Sequence, residues 1–579
     1  MAFGTSILNF IGGKEMVVVI LSWIYYFMLC GTIGIGIEKL LAKVLKRRWQ
    51  FQVIDYLVTG IVGITLYAAF ASIVYKVGMI VHLILLFLAI ISGLGCRKEI
   101  KELLPKVKKL IFSWEGFFFF CFVLLIAFFT SRGKFHTDTG IYHAQNIRLY
   151  EEYGIIKGMA NMQLHYGYNS LYLAFAAVLS LAWLLPWSLH TTTGFIEVIL
   201  CLYALHHLKT FKEHKSHLED AGCIAILFYA LINVTGSMSP ATDYPTMFLS
   251  IYMISVWLRA MEKRAHYSVY ALLSVFGVFL GTMKLSAIAM AFVVIYPAYF
   301  LLKEKKWKEI GIYLGLGIFT LAPYLIRNVI LTGWLIYPFE AIDIFNVPWK
   351  VPLDYLLVDS YQIKVWGRCL YDIGLIDMPM KEWLPIWWGN QERYAKMFLG
   401  SNVLGIILAL FNLGYKWIKK IEIRVELLVL YLAMLASALV WFVLAPFIRY
   451  GLGFLLTIPL VGMASWFDYE KKGFQSIVTG CLVFCMLLCF SPYVDHYVTD
   501  DGVFVKQRLM DPYYVVQKDY DHSTTDIIES KGNIIYYSSN IKEEGEINSY
   551  HNFPSTCYQF MMRRSELVSE DIKDGIVPK

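Results

Sequence analysis

Apolar residues occur along this chain in long blocks separated by short polar stretches, rather than at amphipathic spacing. A block of about 20 apolar residues is long enough to cross a bilayer as a helix. The blocks predict membrane-spanning helices near residues 16–37, 52–74, 78–95, 111–130, 221–237, 245–259, 268–283, 286–302, 309–326, 400–416, 425–444, 450–467 and 474–491. With one further crossing between residues 166 and 208, the pattern predicts an all-α polytopic membrane protein of about 13–14 transmembrane helices.

Two segments decide how these spans are counted. The block that begins at Met16 is too long, and its N-terminal flank too poor in positive charge, for a cleaved signal peptide, so it is predicted to be a retained span. Residues 166–208 contain two short apolar pieces but must cross the membrane an odd number of times. One piece is therefore predicted to be a half-helix, a re-entrant segment or an interfacial helix, with one net crossing overall.

Basic residues cluster in the short loops between apolar blocks, as in "CRKEIKELLPKVKK" and "KEKKWK". Such loops are expected in the cytoplasm by the positive-inside rule. The alternation then predicts that residues 131–165, residues 327–400 and the C-terminal segment 492–579 are extracytoplasmic. The chain is accordingly divided into N-terminal transmembrane helices (1–109), a transmembrane core (110–491) with those two outer loops, and a small C-terminal segment (492–579) in which "GNIIYYSS" is β-like.

Composition narrows the class of protein further. Of the residues, 58% are hydrophobic and 16% charged, with a mean hydropathy of +0.56. The formal charge of +7 would suggest nucleic acid in a soluble protein, but here the basic residues lie in loops that set orientation, so nucleic-acid binding is excluded. The cysteines show no CxxC spacing and are predicted to be packing residues, although Cys369 and Cys557 could pair in an oxidising compartment.

Five ionisable residues are predicted to reach the outer face: Asp138, Asp243, Lys284, Arg327 and Arg449. Charges at the hydrocarbon boundary are costly, and they are usually kept because they face a cavity, pair with one another or act on a substrate. Each one alone is also explained by snorkelling to the interface or by a structural ion pair, such as Lys284 with Asp243. Together, three cations and two carboxylates suit a phosphate-bearing ligand, because arginine binds phosphate in bidentate fashion and a carboxylate can activate a nucleophile.

Asp138 lies just before a helix predicted from Thr139, within "HTDTGIYHAQNIRLYEEYG". It has two readings that can coexist: the catalytic base, or a helix N-cap whose carboxylate accepts hydrogen bonds from the first amides. The neighbouring His136 and His143 are expected either to orient Asp138 or the acceptor, or simply to be solvated.

The outer-loop sequence "HTDTGIYHAQNIRLYEEYG" after an apolar span, together with "SPATD", "RNVILTGWLIYP" and "APFIRYG", resembles motifs of the GT-C superfamily of integral-membrane glycosyltransferases, in particular members that build bacterial cell-surface polysaccharides. The resemblance covers roughly residues 110–470. It implies a GT-C-like fold, a sugar donor carried on polyprenyl phosphate or diphosphate, a glycan or lipid acceptor, and an acidic catalytic residue in the first outer loop, here Asp138. Many members carry a second acid near the first, whereas this chain has His136 two residues earlier.

The resemblance and the charged residues together predict a mechanism. Arg449, Arg327 and Lys284 are expected to hold the donor phosphate, and Asp243, His136 and His143 complete the predicted substrate-binding set. Asp138 accepts a proton from the acceptor hydroxyl as it attacks the anomeric carbon, with inversion. No cofactor or metal site is predicted, and the need for a divalent cation is left open.

The predicted location is a bacterial plasma or inner membrane, with an extracytoplasmic active site in contact with membrane lipids. Two other functions stay open. A polysaccharide polymerase or ligase would use the same kind of lipid diphosphate substrate. A flippase or transporter of lipid-linked oligosaccharide would line a translocation path with its charges, although no repeated halves or broken midplane helices are visible and the charges are predicted to gather at one face.

Overall fold

The structure is a computed structural model, and it describes residues 15–47, 52–132, 137–208, 218–466, 510, 524–544, 546–557 and 563–579. Most of these residues are helical. The α-helices are α1 (Glu15–Val44), α2 (Val53–Val74), α3 (Met79–Gly95), α4 (Arg97–Ile111), α5 (Trp114–Thr130), α6 (Ala144–Glu152), α7 (Leu171–Leu179), α8 (Thr192–His207), α9 (Glu219–Asn233), α10 (Asp243–Glu262), α11 (Tyr267–Met283), α12 (Ile295–Lys303), α13 (Trp307–Thr332), α14 (Leu353–Gly367), α15 (Met380–Gly389), α16 (Arg393–Ile418), α17 (Val425–Leu444), α18 (Ile448–Ala464) and α19 (Ile541–Glu544). A π-helix (Thr139–His143) precedes α6, and a 3-10 helix (Leu285–Val294) runs directly into α12.

Short strands follow near the C-terminus: β1 (Thr525–Ser530), β2 (Asn533–Ser538), β3 (Ser555–Thr556), β4 (Ser565–Leu567) and β5 (Ile576–Pro578). β1 and β2 form an antiparallel hairpin, and β3 pairs with β2 in parallel. β4 and β5 form a separate antiparallel pair. The β-like run "GNIIYYSS" predicted from the sequence is therefore β2 and the turn that precedes it.

Seven described helices are long and apolar enough to cross a membrane, or eight if the bent pair formed by α3 and α4 is one span. They indicate a membrane protein. The count is below the 13–14 predicted, and one reason is that three predicted spans are the 17-residue helices α5, α11 and α18, shorter than the usual span of about 20 residues. The predicted span at 474–491 lies outside the described residues.

α10 lies at the centre of the helical bundle, because every residue from 245 to 261 is buried. A helix that is buried on all faces needs apolar or hydrogen-bonded side chains around its whole circumference, and the sequence "YPTMFLSIYMISVWL" supplies them. Its first residue, Asp243, and its last turn, with Arg259, therefore mark two opposite ends of the bundle core.

α11 and the 3-10 helix Leu285–Val294 form a tight helical hairpin with Lys284 at its tip. The hairpin closes on glycines: a Cβ added to Gly277 would lie 2.9 Å from the carbonyl oxygen of Met290, and one added to Gly281 would lie 2.3 Å from Ile288 Cδ1. Small residues allow this close approach of two helices in a membrane. The predicted pair of spans at 268–283 and 286–302 corresponds to this hairpin.

Residues 166–208 contain one short and one longer helix. α7 has 9 residues and α8 has 16. At about 1.5 Å per residue, α7 is roughly 14 Å long and cannot cross a bilayer alone. α7 is therefore too short for a full crossing, as the sequence predicted for one of the two pieces, and all nine of its residues are buried in protein.

The C-terminal strands pack against the segment that follows Asp138. Asn548 donates from its backbone to the Gly140 carbonyl at 2.9 Å and from its side chain to the Ile141 carbonyl at 2.6 Å. The backbone amide of Ile576 donates to the Lys157 carbonyl at 2.9 Å. Cys557 also lies in this segment, and no disulfide joins it to Cys369, so the pairing considered from the sequence is not formed.

Glu151, near the end of α6, links this segment to the same C-terminal residues. Ser188 Oγ donates to its two carboxylate oxygens at 2.8 and 2.7 Å, and the Tyr550 hydroxyl donates to Ser188 at 2.8 Å. Burial raises the pKa of Glu151 from its usual 4.5 to about 7, against the opposing effect of hydrogen bonds from Ser180 and Ser188. The folded protein therefore holds a proton here that the unfolded chain releases at lower pH.

We expect Glu151→Gln to reduce the pH dependence of stability. Because the folded pKa is raised, the unfolding free energy of the wild type falls as the pH rises from about 4.5 to about 7, by at most about 3 kcal/mol from this group. Glutamine cannot ionise, so the thermal midpoint in detergent should fall less between pH 5 and pH 8. Glu152→Gln, an exposed neighbour, is the control and should behave as the wild type; an unchanged pH dependence in Glu151→Gln would contradict the assignment.

Candidate functional site

Four ionisable side chains meet at one end of α10, and we call them the charged quartet: Asp138, Asp243, Lys284 and Arg449. Arg449 Nη2 lies 2.5 Å from Asp138 Oδ2, and Arg449 Nε lies 3.4 Å from Asp243 Oδ2. Lys284 Nζ forms an ion pair with Asp243 Oδ1. The quartet brings together residues up to 311 positions apart and contains two carboxylates and two cations, so its formal charges balance.

Each member of the quartet stands at the end of a helix. Asp138 directly precedes the π-helix Thr139–His143, and Asp243 is the first residue of α10. Lys284 lies at the tip of the hairpin, and Arg449 is the second residue of α18. Helix N-termini favour negative charge, so both aspartates are well placed, whereas Arg449 depends on the two carboxylates for compensation.

The position of Asp138 agrees with the predicted helix start, but its side chain does not cap the helix. Its carboxylate makes no hydrogen bond to the amides of the π-helix. The carboxylate contacts Arg449 instead. The N-cap reading therefore does not hold, and π-helical turns such as this one are frequent at functional sites.

Tyr450 lies between the two cations of the quartet. Arg449 Nη2 donates to the Tyr450 hydroxyl at 3.0 Å, and Lys284 Nζ lies 3.5 Å from the centre of the Tyr450 ring. A cation over the face of an aromatic ring is stabilised electrostatically, by more when both are removed from water. Tyr450 therefore holds Arg449 and Lys284 near one another despite their like charge.

An aromatic group borders the quartet on the Asp138 side. The Tyr142 ring stacks on His165, with centroids 5.2 Å apart and planes at 13°, and it meets Tyr168 edge to face at 5.5 Å. Burial, and next the nearby Asp138 carboxylate, raise the pKa of Tyr142 well above its usual value, so its hydroxyl stays protonated. Flat aromatic faces beside a carboxylate offer an apolar surface together with hydrogen-bonding groups.

Asp359, on α14, is hydrogen-bonded to a member of this aromatic group, Tyr168. Its side chain is buried and accepts hydrogen bonds from the Tyr168 hydroxyl at 2.7 Å and from the Tyr337 hydroxyl at 2.9 Å. Burial raises the pKa of Asp359, while His165 and the two tyrosine hydroxyls oppose the rise. Asp359 was not predicted from the sequence, because nothing in "LDYLLVDSYQ" distinguishes it from an ordinary polar residue of a long loop segment.

Arg327 lies apart from the charged quartet. α13 continues to Thr332, so Arg327 is inside the helix rather than after it, and it is 1% exposed. Its guanidinium donates to Ser72 Oγ at 2.6 Å, to Asn169 Oδ1 at 3.2 Å and to the Gly154 carbonyl at 3.1 Å, and it lies 3.9 Å from the centre of the Tyr150 ring. These contacts are all with neutral groups, and they join α13 to α2 and to the end of α6.

Of the two histidines predicted for the site, the structure describes only His143. His143 ends the π-helix, is 2% exposed, and packs against the Tyr142 ring at 4.2 Å between centroids. The buried position excludes the solvated reading for His143. His136 lies outside the described residues.

A second ionisable group lies at the other end of α10, and we call it the inner cluster: Asp55, His207, Glu219 and Arg259. Arg259 Nη2 lies 2.8 and 2.9 Å from the two oxygens of Asp55, and His207 Nδ1 lies 2.8 Å from Glu219 Oε1. Asp243 and Arg259 are 16 residues apart on one helix, which is about 24 Å. The sequence had predicted charges at one face, and the bundle in fact carries them at both ends.

Among the residues that the structure describes, no group of three or more histidine, cysteine, aspartate or glutamate side chains is arranged to hold a metal ion. The charged quartet offers two carboxylates, Asp138 and Asp243, but each is already paired with a cation. In this arrangement the site is better suited to an anion that competes for the cations.

Comparison with known proteins assigns most of the chain to a family. No curated protein and no solved structure matches it. One family model, described as a domain of unknown function (DUF8201), matches residues 16–456. That range contains every member of the charged quartet and of the inner cluster and ends before the C-terminal strands. Since the match covers well over half of the sequence, the chain belongs to the DUF8201 family.

Proposed function

We propose that this protein is a membrane glycosyltransferase that transfers a sugar from a polyprenyl-phosphate or diphosphate donor to a glycan or lipid acceptor on the extracytoplasmic side. One observation carries the proposal: Asp138, the acidic residue expected to act as base, contacts Arg449, a residue expected to bind phosphate, across 311 positions of sequence. The proposal uses the quartet for the chemistry and the aromatic group around Tyr142 for the acceptor.

The hydrogen-bonding capacity of Arg449 supports a phosphate role. Its Nη2 is used by Asp138 and Tyr450 and its Nε faces Asp243, whereas Nη1 has no hydrogen-bond partner in the described part of the chain. A guanidinium has five N–H groups and favours bidentate contact with phosphate. In the proposed cycle the donor phosphate binds Arg449 and Lys284 and draws Arg449 away from Asp138.

That exchange prepares the base. Once Arg449 has turned to the phosphate, the Asp138 carboxylate is free to accept the proton of an acceptor hydroxyl. The hydroxyl oxygen attacks the anomeric carbon, the bond from that carbon to the phosphate oxygen breaks, and the electron pair leaves with the phosphate, whose charge is stabilised by Arg449 and Lys284. The proton resides on Asp138 at the end of the step, and inversion at the anomeric carbon is expected.

The acceptor is proposed to lie against Tyr142 and its neighbours. Tyr142 adjoins both Asp138 and the Tyr168–Asp359 hydrogen bond, so an acceptor sugar stacked there would have a hydroxyl within reach of the base. Asp359 accepts one tyrosine hydroxyl on each of its two oxygens, and a carboxylate has about four acceptor sites, so it retains capacity for the acceptor's other hydroxyls.

The test is transfer in a reconstituted system. The purified full chain is placed in vesicles with a tritiated polyprenyl-phosphate hexose and with lipid-linked glycans extracted from the native membrane, and new glycosidic bonds are counted. Arg449→Ala should raise the donor concentration for half-maximal rate by about 10- to 100-fold, the loss expected for hydrogen bonds to a charged group. Arg393→Ala, an exposed arginine at the start of α16, is the matched control. Unchanged donor dependence in Arg449→Ala would overturn the phosphate role, and several sugars added per acceptor would indicate a polymerase.

The second candidate function is transport of a lipid-linked sugar, and the inner cluster favours it. Ionisable side chains at both ends of α10 are what a translocation path would require. The same vesicles distinguish the two functions, because accessibility of the labelled sugar to an enzyme added outside measures movement across the bilayer. Movement without any new glycosidic bond would replace the transferase by a transporter.

A further inference from the structure

A long groove lies between α1, α2, α11 and α13, at the side of the bundle, and its volume is 1290 Å³. This exceeds the roughly 300–1,000 Å³ of pockets for small molecules. Along α2 the lining residues run from Asp55 to Val74, which is about 28 Å of helix. The groove is therefore the size of a lipid rather than of a soluble metabolite.

The groove is open towards the surface of the helical bundle. Leu40, Val74 and Phe319 line it and are 61%, 84% and 54% exposed, respectively. Apart from its polar end, it is lined mainly by apolar side chains such as Val62, Phe70, Leu272, Phe276 and Phe279. A hydrocarbon chain entering from the bilayer would meet chemically similar surface along most of this length.

Ionisable acidic and basic groups line one end only. They come from the end of α1, the start of α2 and the junction of α10 with α11, and include Glu38, Asp55, Arg259, Lys263 and His266. This end is at the opposite end of α10 and α11 from Asp243 and Lys284. The groove is therefore separate from the charged quartet, and its interpretation does not depend on the proposed function.

Two ionisable side chains at the polar end, Glu38 and Lys263, have no ion-pair partner within the described residues. Asp55 and Arg259 neutralise each other. Glu38 is 7% exposed, and its Oε1 accepts a hydrogen bond from Thr59 at 2.8 Å, but its Oε2 is buried with no hydrogen-bond partner. Lys263 is exposed at the same end and has no ion-pair partner in the described ranges. A buried carboxylate oxygen without a donor is costly, so a ligand that donates to it would bind favourably.

We propose that this groove binds one molecule of phospholipid with an ethanolamine headgroup. The acyl chain lies along α2 and α11, the phosphate faces Lys263, and the ammonium group donates a hydrogen bond to Glu38 Oε2. Both an anion and an N–H donor are needed to match Lys263 and the unpartnered oxygen of Glu38. Phosphatidylcholine has the same phosphate and chains but lacks the N–H donor, so it should bind more weakly.

Lipid competition tests the proposal. The full chain in detergent is delipidated and mixed with equal amounts of phosphatidylethanolamine, phosphatidylcholine and phosphatidylglycerol of identical chains, and the retained lipid is quantified by mass spectrometry. About one ethanolamine lipid per chain should be retained, preferred over the choline lipid by about tenfold, as expected for one hydrogen bond to a charged group. Equal retention of the three lipids, or a preference for phosphatidylglycerol, would overturn the headgroup assignment.

Variants separate the headgroup from the chain. Glu38→Gln should bring the ethanolamine-to-choline ratio close to one, because an amide nitrogen replaces the accepting oxygen. Lys263→Gln should lower retention of all three lipids, with Lys419→Gln, an exposed lysine outside the groove, as control. Leu272→Trp fills the apolar part and should lower retention several-fold, whereas Leu404→Trp, the same change on an exposed face of α16, should not.

A second measurement tests the groove without the Leu272→Trp variant, in case that variant does not fold. Wild-type protein in vesicles is irradiated with a phosphatidylethanolamine that carries a diazirine in its acyl chain, and the labelled peptides are identified. Label concentrated on residues 58–74 and 269–279 supports the groove. Label distributed evenly over all lipid-facing helices, or full lipid retention by a folded Leu272→Trp or Val62→Trp variant, would refute it.

Discussion

Asp138→Asn is expected to lower the rate of sugar transfer by about 10²- to 10⁴-fold, the usual contribution of a general base, while membrane abundance stays normal. Asparagine has nearly the same shape and can still accept a hydrogen bond from Arg449, but it cannot take up the proton of the acceptor hydroxyl. The rate is measured with the labelled donor in vesicles, at saturating donor, together with the thermal midpoint of the purified protein.

Two comparisons distinguish a base from a structural partner of Arg449. Asp138→Glu keeps a carboxylate and should retain more activity than Asp138→Asn, and only variants with a carboxylate should show the acid limb of the pH–rate profile. Asp354→Asn, an exposed aspartate on α14, should transfer sugar at the wild-type rate. Full activity in Asp138→Asn would remove Asp138 from the chemistry and with it the proposed mechanism.

Arg327→Met is expected to have the largest effect on stability, about 3 kcal/mol or more. The guanidinium is fully buried and satisfies Ser72, Asn169 and the Gly154 carbonyl, so its removal leaves those groups without a donor inside the protein. The measurement is the thermal midpoint in detergent, with Arg393→Met, an exposed arginine, as control.

The same variant decides between the two roles considered for Arg327. A structural residue lowers the thermal midpoint and leaves the donor dependence of the remaining folded protein unchanged. A phosphate-binding residue would do the reverse, with a normal midpoint and a higher donor concentration for half-maximal rate. The second result would mean that the region around Arg327 opens to admit the donor.

The sequence predicted the helical, membrane-spanning nature of the chain because long apolar blocks leave few other choices for the backbone. It also predicted the two adjoining apolar segments on either side of Lys284 and the helix start at Thr139, both of which depend on local pattern. Among the described residues, fewer helices than predicted are long and apolar enough to count as spans, because three of the predicted spans are helices of 17 residues. Local hydropathy does not reveal whether such a helix crosses a membrane or packs inside a bundle.

Which charged residues form the quartet was harder to predict from the sequence. The sequence identified its four members as charges near outer turns, but it grouped them with Arg327, since all five follow or end apolar runs. Which of them meet depends on how distant helices pack, and α13 continues past Arg327 and turns it towards Ser72 and Asn169. The aromatic neighbours Tyr142, Tyr168 and Tyr450 gave no signal, because tyrosines are common throughout this chain.

The turn that bears Asp138 is held from two directions. Arg449 pairs with the Asp138 carboxylate, and Asn548 donates hydrogen bonds to the carbonyls of Gly140 and Ile141. Asn548 lies beyond residues 16–456, the range that the family model matches. A chain shortened to the family range would retain all four quartet residues but would lose the hydrogen bonds from Asn548 to that turn. The C-terminal segment thus stabilises the turn that bears Asp138, and shortened versions of the protein are a poor guide to the activity of the whole chain.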